Sequence, residues 1–544
     1  MGSSAGLDPE DLAHSGLIVL WGTNTLTTNL HLWPFVTAGR ERGSPLVVVD
    51  PVRTRTAARA DLHLAPRPGT DGALALGVMA RLVQAGAVDD SYLSRRTLGW
   101  PQFRGDVLST WSPERAALVS GVPAGQIEAF ADLVEAHRPL GIRALMGVQR
   151  HGGAAQALRL VSCLPAVTGA FAVRGGGLCY STGSAYGWNE DALRRPDLQP
   201  GGPARTLLMS RLGHEMLDGD DPPVRVLVVW AANPVVSNPD TGRVRQGLAR
   251  EDLFTAVVEH THTATTAYAD LVLPGTMQHE HTDLVESYSH LYVNWNEPAV
   301  EPPGECLPHT EIFRRLALAL GVTEPAVYAG DEELAAAALD SPTGGSLTGI
   351  DVASLRERGW QRLAVPTPYL PFAEGFPTPS GLFEFASRRA EAQGLGLLPD
   401  YRAPREAAGV RDRRENGRAE AGPAEAAPLA LVSAANHYIL NSTFSASRMH
   451  TRAGEPTILV HPADAAARGV ADGRDVEVSN ARGSFTAVLR VSDAVRPGVA
   501  ATSKGLPPRA GAGVNATTSQ ELSDAGNGAV FHDNAVWVRP QQVR

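Results

Sequence analysis

Polar residues follow two apolar runs near the start of the chain, at positions suited to binding a phosphate and a base. Gly22, Thr23 and Asn24 follow the first run, and Asp50 follows the second. Backbone N–H groups of a turn that begins a helix can bind a phosphate, and a carboxylate at a strand end can accept hydrogen bonds from a base or a ribose. A dinucleotide is the ligand that needs both features.

The elements that must position these residues are buried parallel strands. The runs that begin at Leu17 and Leu46 are short, continuous and apolar, and the interval between them is long enough for a helix. The same theme recurs where a strand at Val224–Trp230 runs into the turn Asn233-Pro234. Further strands are predicted at Thr255–Glu259 and Ala269–Pro274, and helices at Gly72–Gln84, Ala154–Thr168, Thr310–Leu320 and Glu332–Leu339.

The predicted fold class is α/β, with two doubly wound dinucleotide-binding units followed by a carboxyl-terminal β-barrel. Polar residues at 402–427 predict a surface linker before the barrel. The barrel strands are predicted at Leu429–Val432, Thr457–Val460, Val476–Val478, Phe485–Val491 and Gly498–Ala501. The corresponding domains are 1–180 (first α/β unit), 181–300 (second α/β unit), 301–425 (α-rich connection) and 426–544 (barrel).

Composition excludes several classes of protein. A net charge of −10 argues against a nucleic-acid-binding surface, and no apolar run reaches the length of a membrane span. Lys504 is the only lysine. The three cysteines have no cluster or zinc spacing, and no export signal is visible, so a cytoplasmic protein is predicted.

Motifs along the whole chain resemble one family, the molybdenum or tungsten oxidoreductases that hold the metal on two molybdopterin guanine dinucleotides. Each motif is weak alone, but their order and spacing together are specific. They are Leu20–Asn24, Val49–Pro51 with Arg53 and Thr54, Ala60-Asp61, Pro68–Leu74, Gly147–Gln149, Thr168-Gly169, Gly175–Gly177, Asn233-Pro234, Thr263 with Thr265, Ala269–Pro274, His437 with Asn441–Thr443, His461–Asp464, Asn480–Gly483 and Asn515–Thr518.

The resemblance implies roles in the first unit. Gly22 and Asn24 would form a turn against one dinucleotide, and Asp50 with Asp71 would accept the N–H donors of its guanine. Arg53 would lie near the pyrophosphate. The resemblance also implies that the barrel is of the double-psi type.

Further roles follow from the same resemblance. Gly147 and Gln149 would line the pterin, the glycine because the backbone must pass close to it. Asn233 would serve the second dinucleotide. The pterin dithiolenes themselves would bind the metal. The barrel residues that would close over both pterins are His437, Asn441, Ser442 and Asn515, and Thr23, Thr54 and Gly69 complete the predicted binding set.

Family members commonly carry a metal-ligating side chain upstream of the first strand, often with a [4Fe–4S] cluster. Only sixteen residues precede Leu17 and none is cysteine, so we expect both groups in a missing amino-terminal region, or the cluster on a partner. No catalytic residue or metal ligand is therefore named. The expected partners are a small-molecule substrate and an iron–sulfur or other electron-transfer protein.

Two departures from the family's motifs and one alternative bear on substrate and function. Molybdenum formate dehydrogenases typically have an Arg-Gly segment after the glycine-rich turn, but 178–183 contains no arginine, which disfavours formate. Thr25 replaces the usual proline. A non-catalytic scaffold of the same fold is the alternative function.

Several residues also have alternative interpretations. Asp50 could be a helix cap, Gly175–Gly177 a flexible loop and His437 a structural histidine. Five histidines could suggest a zinc site: His260, His262, His279, His281 and His290.

Overall fold

A computed structural model describes residues 1–199, 204–341, 345–406, 427–441, 443, 447–506 and 512–541. Five parallel strands form the first sheet, in the order β3-β2-β1-β5-β6. The strands are β1 (Leu17–Trp21), β2 (Leu46–Val49), β3 (Leu62–Leu64), β4 (Thr97–Leu98, outside this sheet), β5 (Leu140–Ala144) and β6 (Gly177–Cys179). The helices of this unit are α1 (Thr25–Thr28), α2 (Trp33–Glu41), α3 (Asp71–Ala85), α4 (Asp90–Arg96), α5 (Trp100–Gln102), α6 (Pro113–Ser120), α7 (Ala124–Ala136), α8 (Met146–Gln149) and α9 (Ala154–Val167).

The first sheet is buried on both faces, as its continuous apolar strands predict. Every residue of β1 and β2 is buried, and two separate apolar clusters lie on the opposite faces of the sheet. Helix α3 covers one face and ends at Gly86, whose φ of +69° suits the left-handed cap of a helix. The predicted helices at 72–84 and 154–168 are confirmed as α3 and α9.

The second α/β unit contains three parallel strands in the order β7-β8-β9. They are β7 (Val226–Trp230), β8 (Phe254–Glu259) and β9 (Leu271–Pro274). The helices that precede or accompany them are α10 (Glu190–Arg194), α11 (Leu212–Leu217), α12 (Pro234–Ser237) and α13 (Thr241–Leu248). The predicted repetition of the first unit's architecture is therefore present in the structure.

An antiparallel sheet and several helices connect the second unit to the barrel. The sheet has the order β10-β11-β12, and β13 pairs with β4 of the first unit. The strands are β10 (Asp283–Val285), β11 (Tyr292–Asn296), β12 (Trp360–Arg362) and β13 (Phe383–Glu384). The helices are α14 (His309–Ala319), α15 (Asp331–Leu339), α16 (Val352–Arg358) and α17 (Arg388–Ala392). Most of the predicted linker, 407–426, lies outside the described residues.

The carboxyl-terminal strands form a closed six-stranded barrel in the order β14-β18-β15-β17-β16-β19. Its strands are β14 (Leu429–Ala434), β15 (Thr457–Val460), β16 (Asp475–Ser479), β17 (Ser484–Val491), β18 (Val499–Ser503) and β19 (Ala535–Pro540). Two helices belong to this region, α18 (Arg448–Ala453) and α19 (Pro462–Arg468). The sequence predicted the first five strands but not β19, which closes the barrel.

No single helix in the described part of the chain is long and apolar enough to cross a membrane. Helices α3 and α4 pass that test of length and composition only as a pair, across a bend of 117°. The cytoplasmic location stays a prediction.

Candidate functional site

The turns after β1 and β5 contact each other at the carboxyl edge of the first sheet. The Gly147 N–H donates to the Gly22 carbonyl over 3.0 Å. Gly22 has a φ of +60°, and a Cβ there would lie 2.8 Å from the backbone nitrogen of Val148. Glycine is therefore required at Gly22 by its conformation and by this backbone contact. The sequence predicted a close backbone approach at Gly147. In the structure, the backbone that Gly147 approaches within the chain is that of Gly22.

Asp50 and Asp71 lie close together at this edge and interact electrostatically. Burial, together with a smaller contribution from the neighbouring Asp71, raises the pKa of Asp50 to about 7. Burial also raises the pKa of Asp71 to about 6, although the Trp21 indole N–H donates to its carboxylate over 2.7 Å. Of the two Asp50 oxygens, only Oδ1 accepts a hydrogen bond among the described residues, from the Val52 N–H at 2.9 Å. This carboxylate pair can accept further donors from a ligand.

A hydroxyl that the sequence did not single out orders the turn after β1. Thr56 is fully buried, and its hydroxyl donates to the Asn24 side-chain oxygen over 2.8 Å. The same hydroxyl accepts the Leu26 N–H at 2.9 Å. Asp61 joins β2 to the loop before β3 by accepting the Leu46 N–H at 2.8 Å. These bonds hold the turn that carries Gly22, Thr23 and Asn24.

The second unit repeats these bonds atom for atom. The Thr265 hydroxyl donates to the Asn233 side-chain oxygen over 2.6 Å and accepts the Val235 N–H at 3.2 Å. Asp270 accepts the Thr255 N–H at 2.7 Å, as Asp61 does for Leu46. Each residue lies 209 positions after its counterpart: 24 and 233, 26 and 235, 46 and 255, 56 and 265, 61 and 270.

The repeat identifies a carboxylate that sequence reasoning missed. Trp21 pairs with Val49 and Asp50 follows, whereas Trp230 pairs with Val258 and Glu259 follows. Glu259 therefore occupies the Asp50 position of the second unit. A self-comparison of the sequence at an offset of 209 would have found it.

The barrel contacts both units near the predicted residues. The Arg53 N–H donates to the Ala494 carbonyl over 2.7 Å, and His437 Nε2 lies 3.2 Å from a guanidinium nitrogen of Arg55. Asn515 is buried and donates to the Val236 carbonyl over 2.7 Å, beside Asn233. The barrel therefore joins the carboxyl edges of the two sheets.

The remaining predicted residues are distributed around the first site. Thr54 caps a short turn by accepting the Ala57 N–H at 3.2 Å, Gly69 lies against His151, and Gln149 ends α8. Asn441 has a φ of +51° and packs closely against Gly505. Ser442 lies outside the described residues.

Three buried polar atoms near the site have no hydrogen-bond partner among the described residues. They are the Thr23 hydroxyl oxygen, the Asn515 side-chain oxygen and His151 Nδ1. An unpaired buried polar group costs about 1–3 kcal/mol. Such groups are suited to bonding with a bound polar molecule.

The histidines considered for zinc do not form a metal site. His260 bonds to Glu259 at 2.9 Å, His281 to Thr276 at 2.9 Å and His290 to Tyr186 at 3.3 Å. Across the described ranges, no group of three or more His, Cys, Asp or Glu side chains is arranged to hold a metal ion.

An arginine reaches the 178–183 segment from the neighbouring strand. Arg143 on β5 is fully buried and donates to the Tyr180 carbonyl over 3.2 Å and to Cys179 Sγ over 3.0 Å. The segment itself has no arginine, but the parallel pairing of β5 and β6 places one beside it. Because Arg143 and Cys179 are 36 positions apart, the sequence did not indicate that they are neighbours.

Comparisons with known proteins match the whole length of the chain. The family model described as "Molybdopterin oxidoreductase" matches residues 3–319, and that described as "Molydopterin dinucleotide binding domain" matches 429–535. The "Probable oxidoreductase YoaE" of Bacillus subtilis is 36% identical over 541 residues, which are 99% of this chain and 76% of that protein.

Two more distant relatives have more specific names. The "Dimethyl sulfoxide/trimethylamine N-oxide reductase" of Rhodobacter capsulatus is 28% identical over 89% of this chain and 64% of its own length. The structure of the acetylene hydratase of Pelobacter acetylenicus superposes with a TM-score of 0.77 at 21% identity, covering 99% of this chain and 79% of that chain. The comparison with the acetylene hydratase structure establishes the fold alone.

Proposed function

The chain belongs to the molybdopterin oxidoreductase family, and from this we propose that it catalyses a two-electron oxidation or reduction, or an oxygen-atom transfer, on a small substrate. It is an oxidoreductase whose barrel matches a molybdopterin dinucleotide-binding domain. The identity of the metal, molybdenum or tungsten, and the presence of two dinucleotides are part of the proposal.

The observation that supports two bound dinucleotides is the repeat of the first unit's hydrogen bonds 209 positions later in the chain. Both units order the turn after their first strand with the same Asn–Thr pair, and both place a carboxylate after the second strand. A scaffold does not need both carboxylates at ligand-accepting positions. The repeat therefore favours two equivalent base sites over the non-catalytic alternative.

The residues present fit a guanine in the first unit. Guanine offers two parallel N–H donors, and a carboxylate is the acceptor that matches them. Asp50 and Asp71 are desolvated acidic side chains with raised pKa values, so donors from a ligand would favour their ionised forms. Glu259 would accept the second guanine.

Other residues would hold the remainder of the cofactor. The N–H groups of Thr23 and Asn24 and the unpaired Thr23 hydroxyl would face the cofactor, with Arg53 near a pyrophosphate. The prediction that the Gly22 N–H also binds a phosphate is wrong, because this N–H donates to the Val49 carbonyl over 2.9 Å. Gly147 and Gln149 would line one pterin. The residues that would close over the pterins from the barrel are His437, Asn441, Ser442 and Asn515.

When bound, the cofactor would supply a metal that exchanges two electrons with the substrate, and the protein would orient the cofactor and exclude water. An electron-transfer partner is part of the proposal. Three cysteines are too few for a four-cysteine iron–sulfur cluster, so such a cluster would lie in a missing amino-terminal region or on the partner. Cys163 and Cys179 are also buried.

The proposal is tested by metal and nucleotide analysis of the native protein. We expect one molybdenum or tungsten atom and two released guanine nucleotides per chain. Asp50→Ala and Glu259→Ala should each lower retention of one nucleotide, by roughly 1.5–3 kcal/mol for a lost charged acceptor. The exposed Glu41→Ala is the matched control. Absence of metal and nucleotide from folded native protein would contradict the proposed function, and unchanged content in both variants would contradict the assigned carboxylates.

A further inference from the structure

Helix α9 follows the turn 146–153, and its N-cap position cannot supply a side-chain cap. The N-cap residue is Gly153, which has no side chain to accept the first N–H groups of the helix. A Cβ at this position would lie 2.9 Å from the Arg402 carbonyl oxygen. The residues that commonly cap a helix, such as serine and aspartate, therefore do not fit there unless the backbone at Arg402 moves.

The barrel supplies the cap that Gly153 cannot. Asp524 Oδ1 accepts the Ala155 N–H over 2.7 Å, and Oδ2 accepts the Gln156 N–H over 3.2 Å. The Asp524 N–H donates to the Gly152 carbonyl over 2.8 Å. A carboxylate at the amino end of a helix also interacts favourably with the helix dipole. Helix α9 is therefore capped by a residue of another domain, 369 positions after Ala155.

Two further barrel residues bind the same segment of the first unit. The Asp533 carboxylate accepts the Gly152 N–H over 3.3 Å, and the His532 N–H donates to the Arg150 carbonyl over 2.9 Å. Asp533 is 1% exposed and also accepts both N–H groups of Arg405-Glu406, at 2.8 and 2.9 Å. Both polar backbone groups of Gly152 are therefore bonded to the barrel.

The loop that carries Asp524 is closed by hydrogen bonds of its own. Leu522 and Ala529 form an antiparallel bridge at its base. The Ser523 N–H donates to the Gly528 carbonyl over 2.9 Å, and the Gly528 N–H donates to the Ser523 hydroxyl oxygen over 3.1 Å. Because these bonds lie within the barrel, the loop holds Asp524 in place for α9.

The turn 146–153 is held at its beginning by the first unit and at its end by the barrel. The Gly147 N–H donates to the Gly22 carbonyl over 3.0 Å, which fixes the beginning. Helix α8 in this turn has four residues, too few to be stable without tertiary contacts. The bonds of Gly152 fix the end. The orientation of Gly147 and Gln149 therefore depends on contacts from two domains.

We propose that Asp524 and Asp533 are positioning residues for the cofactor. By binding the backbone at 152–156 they order the turn that carries Gly147 and Gln149 when the barrel docks on the first unit. Docking of the barrel and binding of the pterin are then coupled, because both stabilise the same conformation of this turn. The coupling rests on the proposed function, whereas the ordering of the turn by the barrel does not.

Hydrogen exchange of the full chain, produced without cofactor, tests the ordering. Asp524→Ala should make the Gly147 and Val148 amides, which Asp524 does not contact, exchange about fivefold faster. Asp524→Asn keeps an acceptor oxygen at the cap and should stay within about twofold of the wild type. The matched control is Asp89→Ala, because Asp89 caps α4 by accepting the Tyr92 N–H over 2.8 Å and should leave the turn unchanged.

Two outcomes of this experiment would overturn the ordering. One is faster exchange that is confined to Ala155 and Gln156, whose own hydrogen bonds Asp524→Ala removes. The other is an equal effect of Asp89→Ala, which would indicate general destabilisation. Asp533→Asn replaces one accepting oxygen with a donor and should accelerate exchange at Gly147 in the same direction, and no acceleration would exclude Asp533 from the proposal.

Protein purified with its cofactor tests the coupling. Asp524→Ala should release guanine nucleotide at least about fivefold faster during dialysis, whereas Asp524→Asn and Asp89→Ala should release it at the wild-type rate. Faster exchange of the turn with an unchanged rate of nucleotide release would overturn the coupling. A wild type that contains neither nucleotide nor metal would refute the proposed function, while hydrogen exchange of the cofactor-free protein still decides whether the barrel orders the turn.

Discussion

The first and second α/β units share their hydrogen bonds but differ in their burial. Trp21 is 0% exposed and contacts Asp71 of α3 and Phe130 of α7, whereas its counterpart Trp230 is 50% exposed and contacts Phe313. Val226 and Phe254 of the second sheet are also exposed, although parallel strands are commonly covered on both faces. The hydrogen bonds made by the equivalent Asn, Thr and Asp residues therefore form in both units, although residues of the second sheet are exposed.

The two units also differ at the residue after their first strand. Gly22 and Ala231 both have positive φ, +60° and +51°. Glycine is required at the first position by the turn after β5, whereas Ala231 is exposed and retains a side chain. A positive φ alone therefore does not require glycine after the first strand. The contact of Gly22 with the turn after β5 does require it.

The largest expected difference concerns the two tryptophans. Trp21→Ala should lower the free energy of unfolding by about 3–5 kcal/mol, because it empties a buried volume and removes a donor from Asp71. Trp230→Ala should cost less than about 1.5 kcal/mol, since half of its surface is already exposed. Chemical denaturation followed by circular dichroism measures both. Equal losses would show that the burial difference has no energetic consequence.

A pH effect is expected in the first unit. The pKa of Asp50 is about 7 in the folded protein and about 4 in an unfolded chain, so the folded state binds the proton more tightly. Cofactor-free protein should therefore be most stable below pH 4 with respect to this group and lose on the order of 4 kcal/mol as the pH rises from 4 through 7.

Asp50→Asn should remove this contribution, and thermal unfolding from pH 4 to pH 8 measures it. The difference between wild type and variant isolates Asp50 from the other titrating groups. A difference that is independent of pH would contradict the raised pKa.

The hydroxyl groups of Thr56 and Thr265 should contribute equally to the stability of the protein. Thr56→Val and Thr265→Val each leave an asparagine oxygen and a backbone N–H without their partner, at fully buried positions. Each change should cost about 1–2 kcal/mol in the free energy of unfolding. Denaturation of both variants checks the equality, and Thr28→Val, at an exposed position of α1, provides a control. A loss of stability in Thr56→Val alone would show that the same hydrogen bonds stabilise the first unit but not the second.

The smallest expected effect is a gain at Ala231. Ala231→Gly relieves a left-handed conformation that disfavours a Cβ, and it should stabilise the protein by up to about 1 kcal/mol. Differential scanning calorimetry would detect a small rise in Tm. A fall in Tm would indicate that the methyl group of Ala231 makes contacts worth more than the strain.

Sequence alone predicted most of the elements because short-range patterns determine them. Continuous apolar runs predicted β1, β2, β7 and β8, and helical periodicity predicted α3 and α9. The resemblance predicted the family, which the comparisons confirm. Individual binding roles, such as those of Asp50 and Gln149, stay predictions.

Long-range contacts were decided only by the tertiary structure. Arg143 meets the Tyr180 segment through strand pairing, Gly147 meets Gly22 through two converging turns, and Asn515 donates to the Val236 carbonyl across 279 positions. A sequence pattern records which residues prefer a strand or a turn, because those preferences are local. It does not record which turns and strands meet, because that depends on how all the buried surfaces of the chain pack together.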